Sequence, residues 1–196
     1  MFFASLFHEL GHILFGALAK IKVKIVRLKP FSSSCVEITP KTDKNLKRRM
    51  ICTSLGGLFV NFVFIALGIV ALVVPEVPVY LSLVLPASFY LFALNAAPLN
   101  FISGKTDGLV ICELLSNSDN AKVMLAVLTV QARVLSGTPI EQIDKELLFG
   151  VPQIQEDDPA FISLTELRYE YFKALGEEEQ AEKYRARFEE LKKEYM

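Results

Sequence analysis

Histidine is scarce in this 196-residue chain: there are two, His8 and His12. Any site built on imidazole must use this pair and take its other groups from different residue types. Cysteine is nearly as sparse. Cys35, Cys52 and Cys112 are odd in number and no two are close in sequence, which argues against a disulfide framework and a thiolate metal site. They read as small apolar packing residues. Charge is missing altogether from residues 51–74 and 77–104. Basic residues are also missing ahead of the apolar run 1–19. A secretory leader carries its positive charge before the apolar stretch, so this run is not expected to be one, although Ala17-Leu18-Ala19 resembles a cleavage site.

What is present is apolar and unevenly spread. Hydrophobic residues make up 52% of the chain and mean hydropathy is +0.38. The runs 1–19, 51–74 and 77–104 hold nearly all of the excess. Residues 51–74 would reach ~36 Å as a helix, enough to cross a ~30 Å hydrocarbon core with tilt. Pro75-Glu76-Val77-Pro78 is a proline-bounded turn, so 51–74 and 78–99 are expected to form an antiparallel hairpin of spans. Residues 1–19 make a third candidate span, unusual in holding His8, Glu9 and His12; ionisable groups at lipid depth point to function.

A net charge of −1 hides an asymmetry. Residues 20–49 carry ten Lys/Arg against two Asp/Glu, whereas 141–196 carry eight against fifteen. The basic block lies between two apolar runs. It therefore reads as a cytoplasmic loop flanking the membrane, with no nucleic-acid partner implied. That places loop 20–50 and the C-terminus in the cytoplasm. Within the loop, Lys22-Val23-Lys24-Ile25-Val26-Arg27-Leu28 and Cys35-Val36-Glu37-Ile38-Thr39 partly alternate. Joined by Pro-Phe-Ser-Ser-Ser, they predict a strand pair over about 22–39.

His8-Glu9-Leu10-Gly11-His12 has the form H-E-x-x-H. Positions i and i+4 of a helix share a face, so both imidazoles can point at one metal ion. Glu9, beside the first, can take a proton from a water on that ion, which is the zinc-hydrolase arrangement. Gly11 lets another helix or a substrate approach closely. A catalytic zinc site usually has three protein ligands and an open position, and no histidine is left. Asp107, after the third span and at the same expected membrane face, is the best third ligand; Glu113 is a weaker one. His12 lies eight residues before Lys20, so the metal would sit ~12 Å below the membrane surface. Asp107 must reach that depth. The break at Asn95-Ala96-Ala97-Pro98 lets 99–106 fold back, which is tolerable where protein or a water-filled cavity surrounds the backbone.

On these residues the chain resembles the site-2 protease family of intramembrane metalloproteases. That family has three core transmembrane helices, the first with H-E-x-x-H and the third with L-D-G. His8, Glu9 and His12 match the first motif, and Asp107-Gly108 match the end of the second. Asn95-Ala96-Ala97-Pro98 is similar to the N-x-x-P that comes before it, and Gly57-Leu58-Phe59-Val60-Asn61 to the family's G-x-x-x-N. Thr106 stands where the family has Leu, Leu109 where it has a second Gly, and the spacer from Pro98 to Asp107 is longer. The resemblance covers roughly residues 1–115. It implies that His8, His12 and Asp107 bind Zn2+ and that Glu9 is the general base. It implies that Asn61, and by analogy Asn95, contact the substrate or the oxyanion; a plain polar contact between helices is the other reading of Asn61.

The remaining chain is mostly helical by pattern. Thr138-Pro139-Ile140-Glu141 predicts a capping box with proline at the first helical position. Residues 161–175 and 177–195 form two helices around Gly176, with Leu164, Leu167, Tyr171, Phe172 and Leu175 expected to face Ala181, Tyr184 and Phe188. This resembles one tetratricopeptide-type hairpin, and a single unit cannot stack into an array. The expected protein is thus mainly α and polytopic. Residues 1–118 form a three-helix zinc protease core (spans about 1–19, 51–74 and 78–99) with a strand pair after the first helix. Residues 119–196 form a cytoplasmic helical tail. The expected activity is hydrolysis of membrane-embedded protein substrates, and the tail offers a place for a cytoplasmic regulator. A non-catalytic membrane adaptor that keeps the fold is the alternative. An intact Glu9 argues against it, because an adaptor has no use for a buried base.

Overall fold

A computed structural model describes residues 1–27, 35–101 and 104–195. The chain is mainly helical, and divides into two compact units, one of 1–38 with 47–114 and one of 39–46 with 115–196. The division falls a few residues before the expected 118/119 boundary and gives part of the basic loop to the second unit.

The first unit begins with helix α1 (Phe2–Leu18), followed by strands β1 (Ile21–Arg27) and β2 (Cys35–Pro40), which pair in a two-stranded sheet. The Pro-Phe-Ser-Ser-Ser joint between them, and the side chain of Cys35, lie outside the described residues. Helix α1 stops because Lys20 turns to φ 57°, a left-handed geometry that ends a right-handed helix. Its 17 residues extend about 26 Å, short of a ~30 Å hydrocarbon core. The first of the three expected spans is thus at the short end of the range for a crossing helix and is not among the two segments long and apolar enough by the same measure.

Helix α2 (Leu46–Val73) and the segment Val79–Ala96 are long and apolar enough to cross a membrane. Helix α2 starts earlier than expected and takes Lys47, Arg48 and Arg49 into its first turns. Val79–Ala96 opens with a 3-10 stretch, Val79–Val84, before helix α3 (Leu85–Ala96). It ends three residues before the expected 99. Ala97 is extended at φ −70°, ψ 137° because Pro98 disfavours the helical region in the residue before it. Only 28% and 6% of the most apolar windows of these two segments is buried within the protein. An apolar helix in the core of a soluble protein would be covered on most sides.

Helices α1 and α2 touch backbone to backbone. A Cβ at Gly11 would lie 2.4 Å from the Gly56 carbonyl oxygen, and a Cβ at Gly56 would lie 2.4 Å from that of Gly11. No side chain fits there. After α3, strands β3 (Asn100–Phe101) and β4 (Gly104–Lys105) form a small antiparallel hairpin, and helix α4 (Asp107–Ser116) follows.

In the second unit, helix α5 (Asp119–Leu135) carries Val123, Val127 and Val130 at helical spacing. These pack with Ile143, with Leu148 of helix α6 (Lys145–Phe149), and with Leu164, Leu167 and Tyr171 of helix α7 (Pro159–Leu175). Helix α8 (Glu178–Tyr195) returns after Gly176, which closes α7 at φ 74°. The two-helix hairpin is as expected, and its apolar face is so only in part. Leu164, Leu167 and Tyr171 join the core with α5, Leu175 is exposed, and Phe172 stacks on Tyr184 at 5.5 Å. The expected capping box does not form. Pro139 is extended and leads only a single 3-10 turn, Ile140–Gln142, which Ile143 ends in extended backbone. The helix restarts at Lys145, where the Asp144 carboxylate accepts from the Glu146 N–H.

Candidate metal centre

Helix α1 turns His8, Glu9 and His12 inward, and all three are buried. The opposing face of α2 is built on a four-residue repeat: Arg49, Thr53, Gly57 and Asn61. One member follows another on the same side of a helix, and each meets a particular part of α1. Arg49 Nη1 donates to the Ala19 carbonyl at the end of α1. The Thr53 carbonyl lies 2.8 Å from His12 Nδ1. Gly57 leaves room for both rings: a Cβ there would lie 2.5 Å from His8 Cε1 and 2.6 Å from His12 Nε2. Asn61, fully buried, lies with Nδ2 2.9 Å from His8 Nδ1.

Asp107 comes from the start of α4, and Thr106 puts it there. The Thr106 hydroxyl donates to Ala97 O at 2.6 Å and accepts from Leu99 N at 3.1 Å, while its own N–H bonds Leu99 O at 3.1 Å. These bonds tie the start of α4 to the end of α3. The long spacer loops out as the β3–β4 hairpin and returns. Gly108 packs so closely on the end of α3 that a Cβ would lie 2.1 Å from Ala96 O.

The result is a convergence of three side chains. His8 Nε2 and His12 Nε2 are 3.1 Å apart, and Asp107 Oδ2 is 3.3 Å from each. Among the described residues, His8, His12 and Asp107 form the group of metal-binding side chains with converging ligand atoms. Four-coordinate zinc with bonds of ~2.0–2.2 Å has ligand-to-ligand edges of roughly 3.3–3.6 Å; the two edges to Asp107 are at the lower end of that range and the His8–His12 edge is slightly shorter, so the triangle is of a size that could hold a metal ion. Its electrostatics fit as well. A carbonyl oxygen only accepts, so His12 Nδ1 carries a hydrogen, and its Nε2 faces His8 Nε2 and Asp107 Oδ2. Among the described residues, no hydrogen-bond donor is assigned to the buried Asp107 Oδ2. His12 Nε2 and Asp107 Oδ2, 3.3 Å apart, are placed to share a cation.

Comparison with protein-family models, curated proteins and solved structures returns no match.

Of the residues expected at the site, His8, Glu9, His12, Asp107 and Asn61 are brought together. Asn61 meets the back of the His8 ring. The alternative ligand Glu113 is committed elsewhere: Lys105 Nζ donates to both of its carboxylate oxygens, at 2.9 and 2.8 Å. Asn95 turns its amide nitrogen back to Leu91 O at 2.9 Å within its own helix. It makes no hydrogen bond to the ligand set among the described residues. Sequence reasoning missed the Thr53 carbonyl and the stapling by Thr106. A backbone carbonyl leaves no mark in a sequence. The four-residue step from Thr53 through Gly57 to Asn61 was the available signal.

Proposed function

We propose that this chain is an intramembrane zinc metalloprotease of the site-2 protease type. The observation that carries the reading is the triangle of His8 Nε2, His12 Nε2 and Asp107 Oδ2, with edges of 3.1–3.3 Å. Beside it stands a buried carboxylate, Glu9, that is not one of the three ligands. Bound zinc would supply a Lewis acid that acidifies water and polarises a peptide carbonyl. Glu9 is the group that takes the proton from the attacking water and delivers it to the leaving amine. His8, His12 and Asp107 hold and orient the ion. The packed face of α2 excludes bulk water from one side of the site, since Gly57 lies directly against both rings.

The proposed substrates are transmembrane segments of other proteins. The helices that carry the site expose Phe3, Leu14, Phe59 and Phe62, a lipid-facing surface in this reading. The excess of Lys and Arg in 20–49 supports a cytoplasmic loop and C-terminus. The second unit would be the place where a cytoplasmic regulator acts.

The test is zinc content per chain of detergent-purified protein, wild type against Asp107→Ala. About one zinc in the wild type and a clear loss in the variant is the result expected for a single site with three protein ligands. Zinc retained by the variant would remove Asp107 from the ligand set. A folded wild type without zinc would sink the enzyme reading and favour a membrane adaptor.

A further inference from the structure

The two ligand histidines are held from behind in different ways. His12 Nδ1 faces the Thr53 carbonyl, a pure acceptor, at 2.8 Å. That contact fixes the hydrogen on Nδ1 and frees Nε2 for a metal. His8 Nδ1 faces the side-chain amide of Asn61 at 2.9 Å, and an amide can present either a donor or an acceptor. The two orientations have opposite consequences. With the Asn61 nitrogen toward the ring, His8 Nδ1 accepts, and the His8 hydrogen sits on Nε2. A chain of donors then runs from Asn61 through His8 Nε2 to His12 Nε2, 3.1 Å away, and on to Thr53 O. His8 has no lone pair left for a metal in that arrangement. With the amide turned over, Asn61 Oδ1 accepts from His8 Nδ1–H, and Nε2 becomes a bare ligand. Asn61 Oδ1 is buried and unpartnered while the nitrogen faces the ring, so this atom is available for that bond. Buried acceptors without donors are costly.

We propose that Asn61 is a positioning residue for the metal: its side-chain oxygen holds the hydrogen of His8 on Nδ1 and so makes His8 Nε2 a ligand. It does for His8 what the Thr53 carbonyl does for His12. The amide has two settings, one that admits the metal and one that closes His8 to it. This inference rests on the zinc reading and assigns a role to a residue outside the ligand set. It differs from a substrate contact, because it acts on metal affinity with no substrate present.

The experiment is a chelator competition that measures zinc affinity of the full chain in detergent, for wild type, Asn61→Asp and Asn61→Leu. Aspartate presents an acceptor at the same place; leucine presents none. Groups that orient a metal ligand typically contribute about 10–100-fold in affinity. Asn61→Leu should fall by that factor, and Asn61→Asp should stay within a few-fold of wild type. Equal affinity in Asn61→Leu and wild type would overturn the proposal. So would an equal loss in both variants, which would make Asn61 a packing or interhelix contact only. If leucine crowds the α1–α2 contact and the chain fails to fold, Asn61→Ala replaces it with the same expected loss. A wild type that binds no zinc would instead bring down the metal reading, and this inference with it.

Discussion

Glu9 is the acidic residue of α1. It lies one position after His8, a ligand in our reading, and is itself excluded from the triangle. A proton carrier and a ligand should separate cleanly by mutation. Glu9→Gln keeps the shape and hydrogen-bonding reach of the side chain but cannot take a proton. Zinc content should stay at the wild-type level, while cleavage of a transmembrane substrate falls by about 10²-fold or more; full activity in the variant would remove Glu9 from the mechanism. Gly57 supports the opposite expectation. A methyl group at Gly57 would come within 2.6 Å of His12 Nε2 and 2.7 Å of His8 Nε2, atoms that would bind the ion in our reading. Gly57→Ala should lose zinc while its circular dichroism still shows a helical protein, and undiminished zinc content would contradict the close approach. At this scale the sequence was informative about side chains with a recognisable pattern, His8, Glu9 and His12. It said less about Gly57 and Asn61, whose meaning depends on which turn of α2 meets which turn of α1. It said nothing about Thr53, which acts through its backbone.

At the scale of elements, the site depends on two junctions. One is the α1–α2 contact at Gly11 and Gly56, where the backbones meet. The other is the return from α3 to α4. The proline break after Asn95 was enough to foresee a fold-back over 99–106. The β3–β4 hairpin within it was not legible, because strands of two residues each are too short to show alternation. The hydroxyl of Thr106 donates to Ala97 O and accepts from the backbone N–H of Leu99. It is the staple that brings Asp107 back beside the end of α3. Thr106→Val keeps the branched shape and removes the hydroxyl. Unsatisfied buried groups cost roughly 1–3 kcal/mol each, and here the cost would be relieved by moving Asp107. Zinc affinity should drop about tenfold, consistent with ~1.4 kcal/mol, with little change in helix content. Unchanged affinity would show that Asp107 is held by the helix packing at Gly108 alone.

At the scale of the whole molecule, the C-terminal hairpin is not a detachable appendage. Its amphipathic spacing was readable, but the spacing alone could not say which helix its apolar face would meet. Leu164 and Leu167 of α7 are buried with Val123, Val127 and Val130 of α5. Deleting 155–196 would strip the core from α5, so loss of activity in such a truncation would not isolate a role for the hairpin. A point substitution is a sharper probe. Leu164 is 1% exposed, and Leu→Ala at such a site costs about 2–5 kcal/mol. The residues that hold the metal in our reading all fall within the other unit, 1–38 with 47–114. Leu164→Ala should therefore make 115–196 much more sensitive to limited proteolysis while zinc content per chain stays near that of wild type. Loss of zinc in step with loss of protection would mean that the metal centre cannot stand without the second unit's core. Retained zinc with lost cleavage of the native substrate, but not of a short model peptide, would place the second unit in substrate delivery.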